Sequence, residues 1–329
     1  MQKTATVVSI LILVTGLSLW PQTLLSQTKA PQLTKADIDK MMTELSNWNR
    51  WGKDDQKGTV NLITPAVRKQ AAALVTEGVS VSLARDTDPK KAVDNPSPFL
   101  EKMSPPADGQ FNMDEYTVFF HGFAHTHIDA LSHVFYQGKM YNGFPQSSIK
   151  PDGAGQLAIT AMSDGLFTRG VLVDIPWLKG LPYLDTSTVI TPADLDAWEK
   201  KTGVHIQSGD AVFIRTGRWA YRAAKGPWDI GSHSAGLSAL CVRWFKQRDV
   251  AVMGSDAALD ALPSGIAGVT FPVHQLLLVA MGTPMLDQCE LEALAKASAA
   301  RKRWTFLFTA APIRVTGGTG APINPIATF

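Results

Sequence analysis

Five side chains able to bind a metal or carry a proton crowd into residues 121–133. His121, His125, His127 and His133 are four of the chain's seven histidines, and Asp129 lies among them. Imidazole nitrogens and carboxylate oxygens together are the donors that Zn²⁺ or Mn²⁺ takes. The pattern H-x-H-x-D with a further His four residues on therefore reads as a metal site. If the strand opening at Tyr116 continues, its side chains alternate with period two, and residues 121, 123, 125, 127 and 129 share a face. His127 and Asp129 then stand about 6–7 Å apart along the backbone, and their side chains can converge on one ion. His121 needs a bend to reach it. The run DALSHVF that follows reads as helix, which places Asp129 and His133 on one helical face. The chemistry centres on His127, Asp129 and His133, with His125 and His121 as additional candidates.

The surrounding sequence supplies the elements that must hold these groups. Hydrophobic residues make up 45% of the 329 and charged residues 18%, which describes a globular chain with ample core. A formal charge of +2, with Lys and Arg interleaved among acids, excludes a nucleic-acid surface. Helices are expected over TKADIDKMMTELSNW with Thr34 as N-cap, over PAVRKQAAALVTEG after Thr64 and stopped by Gly78, and over TPADLDAWEKKTG with Thr191 as cap. LSALCVRWFKQR and ELEALAKASAARK complete the helical set. Strands are expected at VSVSLAR, YTVFF, 170–175, 210–216, 250–256 and 304–315. Residues 87–115, rich in Pro, Asp, Lys and Gly, form a long excursion of the kind that serves as a lid or partner-contacting arm. Strands and helices intermix without a strict βαβα rhythm, so the expected fold is a single α/β domain with a mixed β-sheet flanked by helices, over residues 35–329.

The N-terminus is separate. Lys3 precedes an apolar run from about Val7 to Trp20, too short to span a bilayer, where roughly 20 apolar residues are needed. A secretory signal peptide over residues 1–26, cleaved near Ser26, is expected, with an uncleaved N-terminal anchor as the alternative. Either places the body of the protein outside the cytoplasm, periplasmic or secreted. Cys241 and Cys289 lack metal-ligand spacing, and Cys241, in an apolar helical pattern, reads as a buried free thiol.

The run AHTHIDALSH (124–133) resembles the signature of the cyclase-like metal-dependent hydrolase family, which includes bacterial kynurenine formamidases and isatin hydrolases. That family's pattern is His-x-Gly-Thr-His-x-Asp-x-Pro-x-His, and Thr126, His127, Asp129 and His133 match it. The likeness continues in collinear order through NRWGKDDQKGTVNLITP (49–65), RGVLVDIP (169–176), DAVFIRTG (210–217), GSDAALD (254–260) and PIRVTGGTGAP (312–322). Three positions depart from the pattern: Phe123 stands for its first His, His125 for its Gly and Leu131 for its Pro. Kynurenine formamidases of the family hold two zincs, and Phe cannot coordinate one.

The resemblance further implies ligands in FPVHQLLLVAMGTPMLDQCEL (271–291), where His274 and Asp287 fall at the family's C-terminal His and Glu positions. His127, Asp129, His274 and Asp287 would then hold one divalent ion, Zn or Mn, with a second ion only if His125 or His121 replaces the lost ligand. The implied activity is hydrolysis of an amide, aryl formamide or small cyclic amide or lactone by metal-activated water. The family's best-known member reaction is the arylformamidase step from N-formylkynurenine to kynurenine in tryptophan catabolism. His133, a turn of helix from Asp129, suits the proton shuttle. His233 and Trp219 are candidates for substrate contact. Two other readings compete. One is an exported metal- or ligand-binding protein that kept the fold without full catalysis. The other is a cupin-like oxygenase, whose first motif is similar to H-T-H followed by an acid, but whose jelly roll requires many short strands in succession. The expected partners are a small-molecule substrate and, as is common in the family, further copies of the chain. No membrane contact is expected beyond the N-terminal anchor.

Overall fold

The computed structural model describes residues 33–106 and 108–329; the expected signal segment lies outside them. Nine strands form one mixed sheet: β1 (Ser80–Ser82), β2 (His127–Asp129), β3 (Leu166–Asp174), β4 (Ala211–Arg215), β5 (Val252–Ser255), β6 (Met285–Asp287), β7 (Thr305–Ala310), β8 (Gly320–Pro322) and β9 (Ile326–Thr328). Their order across the sheet is β1-β9-β7-β3-β4-β5-β6-β2-β8. The four central strands β3, β4, β5 and β6 run parallel, and every other pairing is antiparallel. This α/β sheet with a parallel centre is not the antiparallel double sheet of a jelly roll, and the cupin-like reading falls with it.

The parallel centre follows from its sequence. GVLVD, AVFIR and VMGS are nearly continuous apolar runs whose residues are buried throughout, as strands covered on both faces require. Close packing also explains two glycines. A Cβ on Gly254 would stand 2.6 Å from the Phe213 ring, and one on Gly170 would stand 2.1 Å from the Phe306 ring. The rings lie where side chains would otherwise project.

Helices form where caps and periodicity coincide. Thr34 and Thr191 make capping boxes with Asp37 and Asp194 at the starts of Lys35–Glu44 and Pro192–Thr202, and Gly203 ends the latter in left-handed geometry. The helix after Thr64 is shorter than expected, ending at Ala72. Cys241–Gln247 and Glu292–Arg301 complete the expected set. Cys241 and Cys289 are both buried free thiols. Among the described residues, no helix is long and apolar enough to cross a membrane.

Two local expectations are corrected. The strand read at Tyr116 is Met113–Thr117, and it pairs only with Leu100–Ser104 in a hairpin of the 87–115 excursion. It does not run on into the histidines. The run after Asp129 is a turn closed by the His133 N–H donating to the Ala130 carbonyl, not a helix.

Candidate metal centre

The edge of the sheet brings the ligand candidates together. In β2 and β6, His127 lies directly opposite Asp287, a position from which side chains on one face touch. Asp129, two residues along β2, shares that face. His127 Nε2 is 3.5 Å from Asp129 Oδ1, and donor atoms of His127, Asp129 and Asp287 all lie within 4.8 Å of one another. His274 enters from the short helix Pro272–His274, which continues as a π-helical stretch over Gln275–Met281. Its Nε2 is 3.3 Å from Asp287 Oδ2.

The chain's bend before β2 does what a straight strand could not. It carries His121 back over Asp129, with Nδ1 at 3.0 Å from Oδ1. His133, across the turn, sets its Nε2 3.9 Å from Asp129 Oδ2. The His121 and His133 rings stack at 3.9 Å, only 4° from parallel. A second triple of close donor atoms, His121, Asp129 and His133, thus shares Asp129 with the first.

Hydrogen bonds aim the rings, and for His127 and His274, which face acceptors, they also place the Nδ1 proton. The Nδ1–H of His127 donates to the His125 carbonyl at 2.8 Å, leaving the Nε2 lone pair toward Asp129. The Nδ1–H of His274 donates to Asp260 Oδ2 at 2.5 Å, leaving Nε2 toward Asp287. His121 Nε2 meets Thr319 Oγ1 at 3.1 Å, leaving Nδ1 toward Asp129. An outer partner that aims the inner nitrogen is the usual arrangement around metal-binding histidines. Asp260 is the functional residue that sequence reasoning missed. It also accepts the Val273 N–H at 2.7 Å and the His274 N–H at 3.2 Å, so it both starts the helix and aims the ring. Its only signal was its place in the GSDAALD segment.

The polar atoms left over test whether a cation fits. Both carboxylate oxygens of Asp129, Oδ1 of Asp287 and Nδ1 of His121 are buried and make no well-formed hydrogen bond, the 3.0 Å approach of His121 Nδ1 to Asp129 Oδ1 being the one close polar contact among them. An ionised carboxylate is acceptor-only, and burying one unpaired is costly. Lone pairs from two carboxylates and three aimed imidazoles converge here, and a divalent cation suits that donor set. Electrostatics point the same way. Burial opposes ionisation of Asp129, but His133, His121 and His127 outweigh it and hold its pKa well below the usual carboxylate range. Burial pushes His133 down to about 4 against the pull of Asp129, so this imidazole is neutral at pH 7. Burial likewise works against a charged His274, but Asp260 and Asp287 outweigh it and raise its pKa well above the ordinary value, so without an ion Nε2 holds a proton toward Asp287 that a cation would displace.

The cluster lines a cavity of about 470 Å³ together with Phe123, Val134, Val269 and Phe271, and with Thr270 and Gln275 as its other polar side chains. None of the described lining residues is Lys or Arg.

Three sequence candidates lie elsewhere. His125 turns away from the ion-binding side, because the segment before β2 is bent and alternation starts only at His127. Its Nε2 approaches the Ser97 carbonyl at 3.4 Å, and its ring faces a separate cavity with Phe99 and Arg85. His233 is exposed in a turn, where its carbonyl accepts the Trp228 Nε1–H. Trp219 is buried, donates to the Cys289 carbonyl at 2.8 Å, and lies under the Arg218 and Arg85 guanidinium groups. Neither His233 nor Trp219 lines the metal cavity.

Comparison with known proteins follows this geometry. A family model described as putative cyclase matches residues 51–260. Among solved structures, one described as a novel cyclase is 32% identical with a TM-score of 0.77, covering 86% of this chain and 99% of its own. Isatin hydrolase A from Labrenzia aggregata, bound to benzyl benzoate, is 20% identical with a TM-score of 0.56, covering 80% and 96%. Isatin hydrolase A from Ralstonia solanacearum is also 20% identical with a TM-score of 0.56, covering 80% and 95%. At those two identities the likeness is one of fold. Among curated proteins, none matches the chain.

Proposed function

The chain belongs to the putative-cyclase family, and from that premise we propose that it is a metal-dependent hydrolase of a small, uncharged cyclic amide or lactone. One observation carries the reading: the buried carboxylates and aimed imidazoles line a cavity whose remaining lining is mostly apolar and, among the described residues, bears no Lys or Arg. Isatin, a neutral cyclic amide and the substrate in the name of two solved structures of the same fold, suits such a cavity. N-formylkynurenine suits it less, since its amino-acid carboxylate would find no Lys or Arg on the lining.

His127, Asp129, His274 and Asp287 would hold the ion, Zn or Mn, with His121 beside them. When bound, the ion supplies a Lewis acid that polarises a carbonyl and lowers the pKa of water from about 16 toward about 7. The protein's own groups do the rest. Asp260 holds the His274 ring, and the His125 carbonyl holds that of His127. Phe123, Val134, Val269 and Phe271 exclude water and offer planar contact to a ring. His133, neutral at pH 7, accepts at Nε2 the proton of the attacking water and returns it to the leaving nitrogen or oxygen. The balance is that of hydrolysis: the C–N or C–O bond breaks, the carbonyl carbon gains hydroxyl, and the leaving atom gains the proton.

The test is metal content and hydrolysis measured on the same purified protein, wild type beside Asp129→Ala. At least one divalent ion per chain is expected in wild type and loss of it in the variant, with isatin opened faster than N-formylkynurenine is deformylated. Faster deformylation would transfer the proposal to arylformamidase chemistry. Failure to hold metal after resupply would leave a binding protein on this fold.

A further inference from the structure

Beside the metal centre lies a buried cation that the chemistry above does not use. Arg218, at the start of the helix Arg218–Lys225, is 3% exposed. Its Nη1 donates to Gln288 Oε1, and its Nη2 donates to the Phe123 carbonyl. Gln288 is the residue after Asp287, and Phe123 lies in the bend that leads to His127 and Asp129. A third bond runs parallel to these two: Thr126 Oγ1 donates to the Gln288 carbonyl at 2.7 Å.

The guanidinium is itself held from several sides. It stacks 3.9 Å from the Trp219 ring centre. The backbone N–H of Arg218 donates to Asp256, which also accepts from Thr216 and Gly217. Asp94, in the 87–115 excursion and 3% exposed, stands 3.7 Å from Nη2. Arg222 fixes Asp94 in turn, with Nε at 2.5 Å. A planar, forked cation can bridge two acceptors at a set separation, which a lysine ammonium cannot do.

We infer that Arg218 is a positioning residue for the metal centre, its fork tying the bend before His127 and Asp129 to the residue after Asp287. It fixes the approach of the two strands that carry three ligand candidates, and Asp94 anchors the excursion to the same fork. The inference rests on the metal-site reading above. Partners bonded to the ligands themselves are worth about 10–100-fold in metal affinity when removed, which sets the scale for a tie one bond further out.

The experiment measures Zn²⁺ affinity by chelator competition and the visible spectrum of the Co²⁺-loaded protein, with apo-protein melting alongside. Arg218→Lys removes the fork, and Gln288→Ala removes one of its two acceptors. Arg215→Lys is the control, because Arg215 is also buried and bonds Asp174 and Glu292 without touching the site. The expected result is a Zn²⁺ dissociation constant about 10–100-fold higher and altered Co²⁺ bands in both Arg218→Lys and Gln288→Ala. The control melts lower but keeps the wild-type affinity and spectrum. Should Arg218→Lys fold poorly, Gln288→Ala carries the decision alone. Lower melting with unchanged affinity and spectrum in the two site variants would overturn the inference and leave Arg218 structural. A wild type that binds neither Zn²⁺ nor Co²⁺ would instead refute the metal reading, and the inference with it.

Discussion

Asp260 offers the sharpest test of the site, because it should govern metal binding without touching the ion. Its carboxylate accepts three hydrogen bonds: from Val273 N at 2.7 Å, His274 N at 3.2 Å and His274 Nδ1 at 2.5 Å. Asp260→Ala removes both acceptor oxygens, and with them all three bonds, at a fully buried position. Each stranded donor costs about 1–3 kcal/mol, so the apo fold should lose about 3 kcal/mol or more. The freed ring of His274 should also lower metal affinity by about 10–100-fold, or about 1.4–2.7 kcal/mol. Asp260→Asn is milder. Its amide oxygen can still accept both His274 donors, and only its NH₂ then faces a donor, the Val273 N–H. One stranded donor, about 1–3 kcal/mol, is the expected stability loss, and the ring keeps its aim while losing its anionic partner. The predicted order for both properties is wild type above Asn above Ala. Chelator competition reads the affinity, and urea melts of the apo proteins read the stability. An alanine variant within threefold of wild-type affinity, or an asparagine variant that binds metal more weakly than alanine, would refute the aiming role.

Three other expectations are independent of it. His133→Ala should retain metal yet lose about 10²–10⁴ in kcat, checked by metal analysis and steady-state rates on one preparation; loss of the ion with the rate would make His133 a ligand instead. Gly254→Ala, whose Cβ would stand 2.6 Å from the Phe213 ring, should destabilise by about 1–3 kcal/mol, seen as a lower urea midpoint at unchanged metal content. Glu199 is 7% exposed, and although burial raises its pKa, the bonds from Arg248 and the Ile206 N–H outweigh that and lower it from 4.5. A carboxylate depressed in the folded state adds stability above its unfolded pKa and loses it as pH falls through the folded one. Wild type should therefore exceed Glu199→Gln in stability at neutral pH, and the gap should narrow as pH drops below about 4.5. A constant gap across that range would assign the difference to packing.

The sequence made some of this visible for identifiable reasons. Three of the four parallel strands, β3, β4 and β5, were legible because burial on both faces leaves unbroken apolar runs, whereas the three-residue β6 was too short to show. Thr34 and Thr191 were legible because a cap and its acidic partner lie within one turn. The histidine cluster announced its chemistry through residue types alone. Its geometry was a different matter. Period-two alternation put His121 and His125 on one face with His127, but alternation holds only inside a paired strand, and pairing begins at His127. The hairpin Leu100–Ser104 with Met113–Thr117 takes the upstream strand away, and the free segment bends so that His121 reaches Asp129 while His125 faces another cavity. Local pattern cannot foresee which partner a strand will choose.

Asp260 and Arg218 were hidden for a related reason. Asp260 lies fourteen positions from the ring it aims, and Arg218 lies 95 from one of its acceptors and 70 from the other. Neither sits in a spacing that implies a partner. Both are buried polar groups, and such a group is tolerated only where its bonds are made. Their roles become readable once the fold shows where those bonds go. In both cases they go to the residues that carry, precede or follow the ligands, so the site depends on a polar shell drawn from separate parts of the chain. The ligands lie on short elements: three residues in β2, three in β6, three in the helix before the π-helical stretch. Elements that short cannot fix side chains within the tolerance a metal requires. The buried shell has to do it, which is why substitutions at Asp260 and Arg218 are expected to weaken metal binding as well as the fold.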